Sequence, residues 1–209
     1  MPMPPTLGVI LAGGQARRMG GGDKALLAVN GEPVLSRILR VMAPQLTALI
    51  LNANGDPARF AAFGLPVVPD SVPGHPGPLA GILAGLDWAA RHPTIEWVLT
   101  LPGDAPFLPP DLAARLHAGR GTAPIAYAAS GDRMHPVIAL WSVTLRDDLR
   151  QALSTGTRRV AKYQELHGAT ATAWPIDGQD PFMNVNTPTD LAEAQGSASA
   201  YDTRNRVVA

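Results

Sequence analysis

"LGVILAGGQARRMGGGDK", Leu7 to Lys24, starts as an apolar run, Leu7–Ala12, and passes into a loop holding five glycines, Arg17, Arg18 and Lys24. A short apolar run feeding a glycine turn predicts a buried parallel strand, with the loop at its carboxyl end, the edge where α/β proteins bind ligands. Glycines let backbone N–H groups come close to a polyanion, and the three cations add charge at that spot. No glycine sits five residues before a Gly-Lys-Ser/Thr, so this is not a Walker A loop. Gly20 to Ala25 does satisfy G-x-G-x-x-A, but eight residues after the strand ends, outside the immediate turn that a dinucleotide fingerprint requires. The expectation left standing is a phosphate cradle on an α/β sheet. The chain holds 15 arginines, and its only lysines are Lys24 and Lys162, so the lysine in this loop is a selective choice.

Outward from that loop, strand-like and helix-like runs alternate almost to the end of the chain, the pattern of an α/β domain. Ala48–Asn52, Pro66–Val68 and Trp97–Leu101 read as further buried parallel strands, and Ile125–Ala129 and Val137–Trp141 read as strands of unassigned direction. Between them, Val34, Leu35, Ile38, Leu39 and Met42 recur at helical spacing, as do Leu79, Ile82, Leu83, Leu86 and Ala90. Gly77, Gly81 and Gly85 recur every four residues in the second helical stretch, and Gly85 reads as close packing on the sheet. Two more helices are expected over Thr144–Leu153 and Arg159–Leu166. A last one opens with Thr187 as N-cap and Pro188 in its first position. Past Gly196 the residues are small and polar without an apolar period, which predicts a frayed tail. The expected organisation is one domain over residues 1–195 and a flexible C-terminal tail over 196–209.

Composition narrows the function. With 209 residues, 46% hydrophobic, and a mean hydropathy of +0.05, the chain suits one globular core. No apolar run approaches a membrane span, and the N-terminus lacks the basic region of a signal peptide, so a cytoplasmic protein is expected. Zero cysteines exclude disulfides, thiolate metal sites and a cysteine nucleophile. Lys+Arg and Asp+Glu are 17 each, so no global field recruits nucleic acid or a membrane surface, and any anion site is local.

Three later stretches carry candidate chemistry. In "LPGDAPFLPPDL" Asp104 follows an apolar strand, so its carboxylate should emerge at the sheet's carboxyl edge. One carboxylate plus substrate phosphates is a usual way to hold Mg²⁺. Asp111, just before "LAARL", fits a helix cap instead. In "RMHPVIALW" His135 is a base, a ligand or a structural filler, with no neighbour to decide between them. In "PFMNVNTPTDL" Asn184 and Asn186 flank Val185 and so face the same way from an extended segment, offering amides to a heterocycle or a phosphate.

Together "LAGGQARRMGGGDK", "GPLAG", "PGDAPFL", "HPVIAL" and "FMNVNTPTDL" resemble, in order and spacing, the molybdenum cofactor guanylyltransferases, over about Leu7 to Leu191. The loop is shared with nucleotidyltransferases of sugars and isoprenoid precursors, and the later motifs narrow the likeness. Gly13-Gly14 after Ala12 is similar to the guanylyl form, whereas cytidylyltransferases for the same cofactor tend to carry a second alanine. Gly103 departs from the cysteine often seen before the metal aspartate. The resemblance implies a three-layer Rossmann-like sandwich with a mostly parallel central sheet. It also implies GMP transfer from GTP to molybdenum-bound molybdopterin, with Mg²⁺ as cofactor and pyrophosphate as the second product.

On the matching positions, Leu11, Ala12 and Gly13 are expected along the base and ribose, and Gly14 and the glycines beyond it around the phosphates. Lys24 is expected at the α-phosphate and Arg18 at the departing pyrophosphate. Asn52 and Asp70 are expected in the nucleotide pocket, Gly77, Pro78 and Gly81 across the base, Asp104 on the metal, and Asn184 and Asn186 on the pterin side. Transient contact with molybdopterin-delivery or molybdoenzyme-maturation proteins is implied in the same way. Two other readings stay open here: transfer of CMP to molybdopterin or of a nucleotide to a sugar phosphate, and a non-catalytic nucleotide-binding regulator. Intact Lys24 and Asp104 argue against the regulator.

Overall fold

A computed structural model describes residues 3–13, 22–72, 74 and 77–206. In chain order its strands are β1 (Thr6–Leu11), β2 (Ala28–Val29), β3 (Glu32–Pro33), β4 (Ala48–Asn52), β5 (Val67–Val68), β6 (Trp97–Pro102), β7 (Ile125–Ser130), β8 (Arg133–Ser142) and β9 (Thr170–Trp174). The helices are α1 (Val34–Met42), α2 (Pro78–Ala90), α3 (Leu112–Gly119), α4 (Arg146–Ser154), α5 (Val160–Leu166) and α6 (Pro188–Arg206). Seven strands form one sheet in the order β5-β4-β1-β6-β8-β7-β9. Only β8 runs against the others: β6 and β7 pair with it antiparallel, while β1, β4, β5 and β6 pair in parallel, as β7 does with β9. β2 and β3 form a separate hairpin turned by Asn30 and Gly31, both at positive φ, the turn chemistry that suits a two-residue connection.

Alternation along β1 builds the three layers. Leu7 and Val9 point into one apolar cluster with Leu79, Ile82, Leu83 and Leu86 of α2, Leu149 and Leu153 of α4, and Tyr163 of α5. Ile10 and Ala12 point into the other, with Val34, Leu35 and Ile38 of α1, Leu112 and Leu116 of α3, and Ala194 and Ala198 of α6. The chain adds β4 and β5 on one side of β1, then crosses back to place β6 on the other. The carboxyl ends of β1 and β6 therefore bound the crevice where such sheets bind ligands. Gly85 packs as expected: a Cβ there would lie 2.6 Å from Val9 Cγ2.

Three expectations need correction. Of the expected tail, Gly196–Arg206 is not frayed and 207–209 lie outside the described residues: α6 runs on to Arg206, because contacts outside its own weak pattern fasten it. Ala198 is buried, the Tyr201 hydroxyl donates to Leu108 O at 2.5 Å, and Asp202 accepts from Arg37 at 2.8 Å. Arg37, only 2% exposed, also donates to Glu32 at 2.9 Å. β8 begins four residues before the expected Val137, and "TATAW" forms the edge strand β9, whose alternating half-open residues lack an apolar run. Asp111 stands at the N-cap position of α3 without capping it; its carboxylate accepts from Trp174 Nε1 at 3.3 Å instead. Thr187 caps α6 as expected: its Oγ1 accepts from Asp190 N–H at 3.2 Å, and Asp190 accepts back from Thr187 N–H at 2.9 Å. No helix among the described residues is long and apolar enough to cross a membrane.

Candidate active site

A cavity of about 480 Å³ opens at the carboxyl ends of β1, β4 and β6. Leu11, Ala12, Gly13, Lys24, Asn52, Asp70, Gly77, Pro78, Asp104 and Asn184, spread over 174 positions of sequence, all face it. Gly14 and Arg18, also expected here, lie outside the described residues, as does Arg17.

The wall beside β4 is a hydrogen-bonded set built on one carboxylate. Asn52 Nδ2 donates to Val68 O at 3.1 Å and to Asp70 Oδ1 at 3.0 Å. Asn54 Nδ2 donates to Asp70 Oδ2 at 2.8 Å, and Asp70 N–H returns a bond to Asn54 Oδ1 at 2.9 Å. Each carboxylate oxygen is thus fixed by one amide and keeps a lone pair for a ligand. Asn54 was missed in the sequence, although its spacing from Asn52 repeats the i, i+2 spacing that singled out Asn184 and Asn186. Gly81 is placed differently from its neighbours Gly77 and Pro78. It lies behind the wall, where a Cβ would fall 2.2 Å from Asn52 Oδ1 and 2.8 Å from Leu11 Cδ2. Its smallness lets α2 close on Asn52, and the residue does not line the cavity.

Leu11 and Ala12 are partly committed to the sheet: Gly103 N–H donates to Leu11 O at 3.0 Å, and Ala12 N–H to Asn52 O at 2.9 Å. Gly103 lies so near that strand that a Cβ on it would stand 3.0 Å from Leu11 O and 3.3 Å from Ala12 Cα. Here the absence of a side chain brings the β6 end, and with it Asp104, up against β1.

Across the cavity Lys24, held in a 3-10 turn over Lys24–Leu26, places its ammonium 3.3 Å from Asp104 Oδ2 and in a short hydrogen bond to Asn186 Oδ1. The lysine thus stands between the carboxylate at the end of β6 and the segment carrying the two asparagines. Burial pushes the Asp104 carboxyl above the usual carboxylate range; Lys24 pulls it down and Asp190 adds to the rise. Asp190 itself is held below that range, chiefly by the backbone N–H of Asn186, with Thr187 adding to it. Val185 N–H donates to Asp104 O at 2.8 Å, so the asparagine segment is fastened to Asp104 by its backbone. Asn184 and Asn186 both reach a second cavity of about 270 Å³, walled also by Arg133, Asp180, Asp190 and Glu193. Asn184 faces both cavities and marks where they meet.

Among the described residues no group of three or more His, Asp or Glu is gathered to hold a metal. Nor does any serine or histidine stand among the cavity-lining residues as a nucleophile. The arrangement is one for positioning phosphates: a fixed carboxylate wall at one end, a lysine–aspartate pair in the middle, and paired amides at the other.

The profile of the MobA-like NTP transferase domain matches residues 8–169. The molybdenum cofactor guanylyltransferase of Nitrobacter hamburgensis is 52% identical over 201 residues, covering 94% of this chain and 96% of that one. The enzyme of the same name from Rhodopseudomonas palustris is 54% identical over 202 residues, covering 93% and 96%. In three dimensions the chain is similar to molybdopterin-guanine dinucleotide biosynthesis protein A of Archaeoglobus fulgidus, with a TM-score of 0.71 at 21% identity over 93% of this chain and 99% of that one. That last likeness supports the α/β sandwich, and the two relatives supply the closer kinship. On their identity and coverage, the chain belongs to the molybdenum cofactor guanylyltransferases, a family of nucleotidyltransferases.

Proposed function

We propose that this chain transfers GMP from GTP to the terminal phosphate of molybdenum-bound molybdopterin. An oxygen of that phosphate attacks the α-phosphorus in line, the bond to the β-phosphate oxygen breaks, and pyrophosphate leaves with the electron pair. No enzyme-bound intermediate is needed, so the protein's work is to position two polyanions and offset their charge. One observation carries the reading: the carboxylate of Asp70, fixed by Asn52 and Asn54, shares one cavity with the Lys24–Asp104 pair. A guanine edge presents N1–H and N2–H₂, two donors side by side, which match the open lone pairs of such a carboxylate.

Lys24 is assigned to the α-phosphate and Arg18 to the leaving pyrophosphate, with Gly13 beside the base and ribose and the glycines from Gly14 onward around the triphosphate. Asn184 and Asn186 orient the acceptor from the second cavity. Asp104 would be the donor for Mg²⁺: a single carboxylate, largely buried and partnered among the described residues by the one cation of Lys24, suits an ion that takes its other ligands from phosphate and water. Bound there, the ion offsets charge on the reacting phosphates. The reading includes action in the cytoplasm and transient contact with molybdopterin-delivery or molybdoenzyme-maturation proteins.

The test is a nucleotide panel with Mg²⁺ and metal-loaded molybdopterin, scoring pyrophosphate and the dinucleotide formed. GTP is expected to exceed CTP, ATP and UTP by at least about 10²-fold, because another base would cover the Asp70 carboxylate without offering it two donors. A lead for CTP overturns the base assignment, and no turnover with any nucleotide overturns the activity.

A further inference from the structure

Behind the asparagine segment lies a polar cluster in which Ser130 and His135 are buried and play no part in the reaction, while Asp180 reaches the wall of the second cavity. Ser130, at the end of β7, is fully buried, and His135 of β8 is 8% exposed. Ser130 Oγ lies 2.7 Å from His135 Nε2 and donates to Asp180 Oδ1 at 2.8 Å. The serine hydroxyl has one proton, and it goes to Asp180, so His135 Nε2 must carry a hydrogen and donate to Ser130 Oγ. A hydrolytic triad runs the other way: the ring nitrogen accepts the serine proton, and the carboxylate holds the ring's second nitrogen. This cluster is therefore not a nucleophile with its base, and burial of Ser130 closes it to substrate.

What the cluster holds is the strip from Asp180 to Asn186. Asp180 Oδ1 also accepts from Phe182 N–H at 2.9 Å. The Phe182 ring packs 4.9 Å from the His135 ring and 5.2 Å from that of Trp174, centroid to centroid. Beyond it the strip is fastened by Val185 N–H to Asp104 O and by Asn186 N–H to Asp190. Asn184 stands between the anchor at Asp180–Phe182 and the anchor at Val185.

We infer that His135 is a positioning residue: its Nε2–H orients Ser130, Ser130 orients Asp180, and Asp180 sets the strip that presents Asn184 and Asn186 to the acceptor. The inference rests on the reading of those two asparagines as the acceptor side.

Three variants test it, His135→Ala, His135→Gln and Asp180→Ala. The amide of glutamine keeps an N–H donor for Ser130 but is no proton carrier. His135→Ala is expected to raise KM for molybdopterin by about 10-fold, the scale of one lost hydrogen bond with a buried partner left unpaired. GTP affinity should stay within about 2-fold. His135→Gln should recover most of the loss with an unchanged pH–rate profile, as expected of a donor that acts through Ser130. Should His135→Ala not fold, Asp180→Ala, at the more open end of the cluster, carries the same expected split between KM and GTP affinity.

Hydrogen exchange of the Phe182 and Val185 amides, measured without any substrate, gives a second readout. It should quicken in His135→Ala and Asp180→Ala and return towards wild type in His135→Gln. Unchanged exchange across the strip overturns the inference whatever becomes of the proposed reaction. Quickened exchange with wild-type acceptor KM, in an enzyme that turns over, overturns it too. A large fall in kcat in His135→Ala that His135→Gln does not restore overturns it as well, since it would make His135 a proton carrier.

Discussion

Gly81→Ala adds one methyl group to α2, and its destination is the Asn52 side chain. The new Cβ would lie 2.2 Å from Asn52 Oδ1 and 2.8 Å from Leu11 Cδ2, so the amide must recede by about 1 Å to reach ordinary contact. That amide cannot move alone, since its Nδ2 bonds both Val68 O and Asp70 Oδ1. Displacement loosens the carboxylate assigned to the guanine edge, and a hydrogen bond to a charged group is worth about 1.5–3 kcal/mol. GTP affinity is therefore expected to fall by about 10-fold to 10²-fold. Overpacking of this kind also costs about 1–3 kcal/mol of stability, or roughly 3–10 °C in Tm for a domain of this size. Gly85→Ala is the control. Its Cβ would meet Val9 Cγ2 at 2.6 Å, so it overpacks the same helix against an apolar partner away from the wall. Calorimetric melting and a GTP titration of the two variants separate the effects. Equal losses of Tm with equal, near-wild-type GTP affinities would refute the claim that Gly81 serves the nucleotide through Asn52.

Lys24→Arg should lose kcat by at least about 10-fold while melting normally, because the broader guanidinium does not fit between Asp104 and Asn186; wild-type kinetics would leave the lysine as an exchangeable charge. Asp104→Asn removes a carboxylate that burial already disfavours, so its Tm should hold while kcat drops by about 10²-fold, and near-normal turnover would take Asp104 off the metal. His117, whose Nε2 bonds Thr6 Oγ1 at 2.8 Å, is lowered to about 4, mainly by burial and further by Arg120. The unfolded chain, titrating near 6.5, binds more protons between those values, so stability is full above about pH 6.5 and falls as pH drops towards 4. His117→Gln should flatten that limb by about 1–2 kcal/mol, allowing for the ring's partial exposure; parallel Tm-against-pH curves would contradict it.

Legibility followed burial on both faces. β1, β4 and β6 lie inside the sheet between two apolar clusters, so their sequences are nearly continuous apolar runs, broken within a strand only by Gly8 and Thr100. β9 lies at the edge, where Thr and Ala suffice, and "TATAW" carries no strand signal of its own. The end of α6 was illegible for a related reason: its alanines and serines state no preference, and the decision rests on Tyr201 and Asp202 meeting partners 93 and 165 positions away. Around the cavity, Leu11, Asn52 and Asp104 meet because each lies at or just beyond the end of a strand, and Lys24 and Pro78 because each opens a helical turn. Asn54 was missed and Gly81 was expected across the base, because each acts through a neighbour, Asp70 or Asn52, and such a role is visible only when the partner's position is known.

The clasp of Arg37 on Asp202 also sets an order in time. Those two residues are 165 positions apart, and at roughly 5–20 residues per second a ribosome needs about 8–33 s to pass from one to the other. Throughout that interval a guanidinium that ends up 2% exposed has Glu32 in reach but not its second carboxylate. Desolvating a half-paired charge is unfavourable, so the α1 side of the sheet has reason to stay hydrated until the last helix emerges. The nucleotide wall, complete in sequence by Asp70, can form early. The strip with Asn184 and Asn186 and then α6 arrive last, so the two ends of the cavity are made at opposite ends of synthesis.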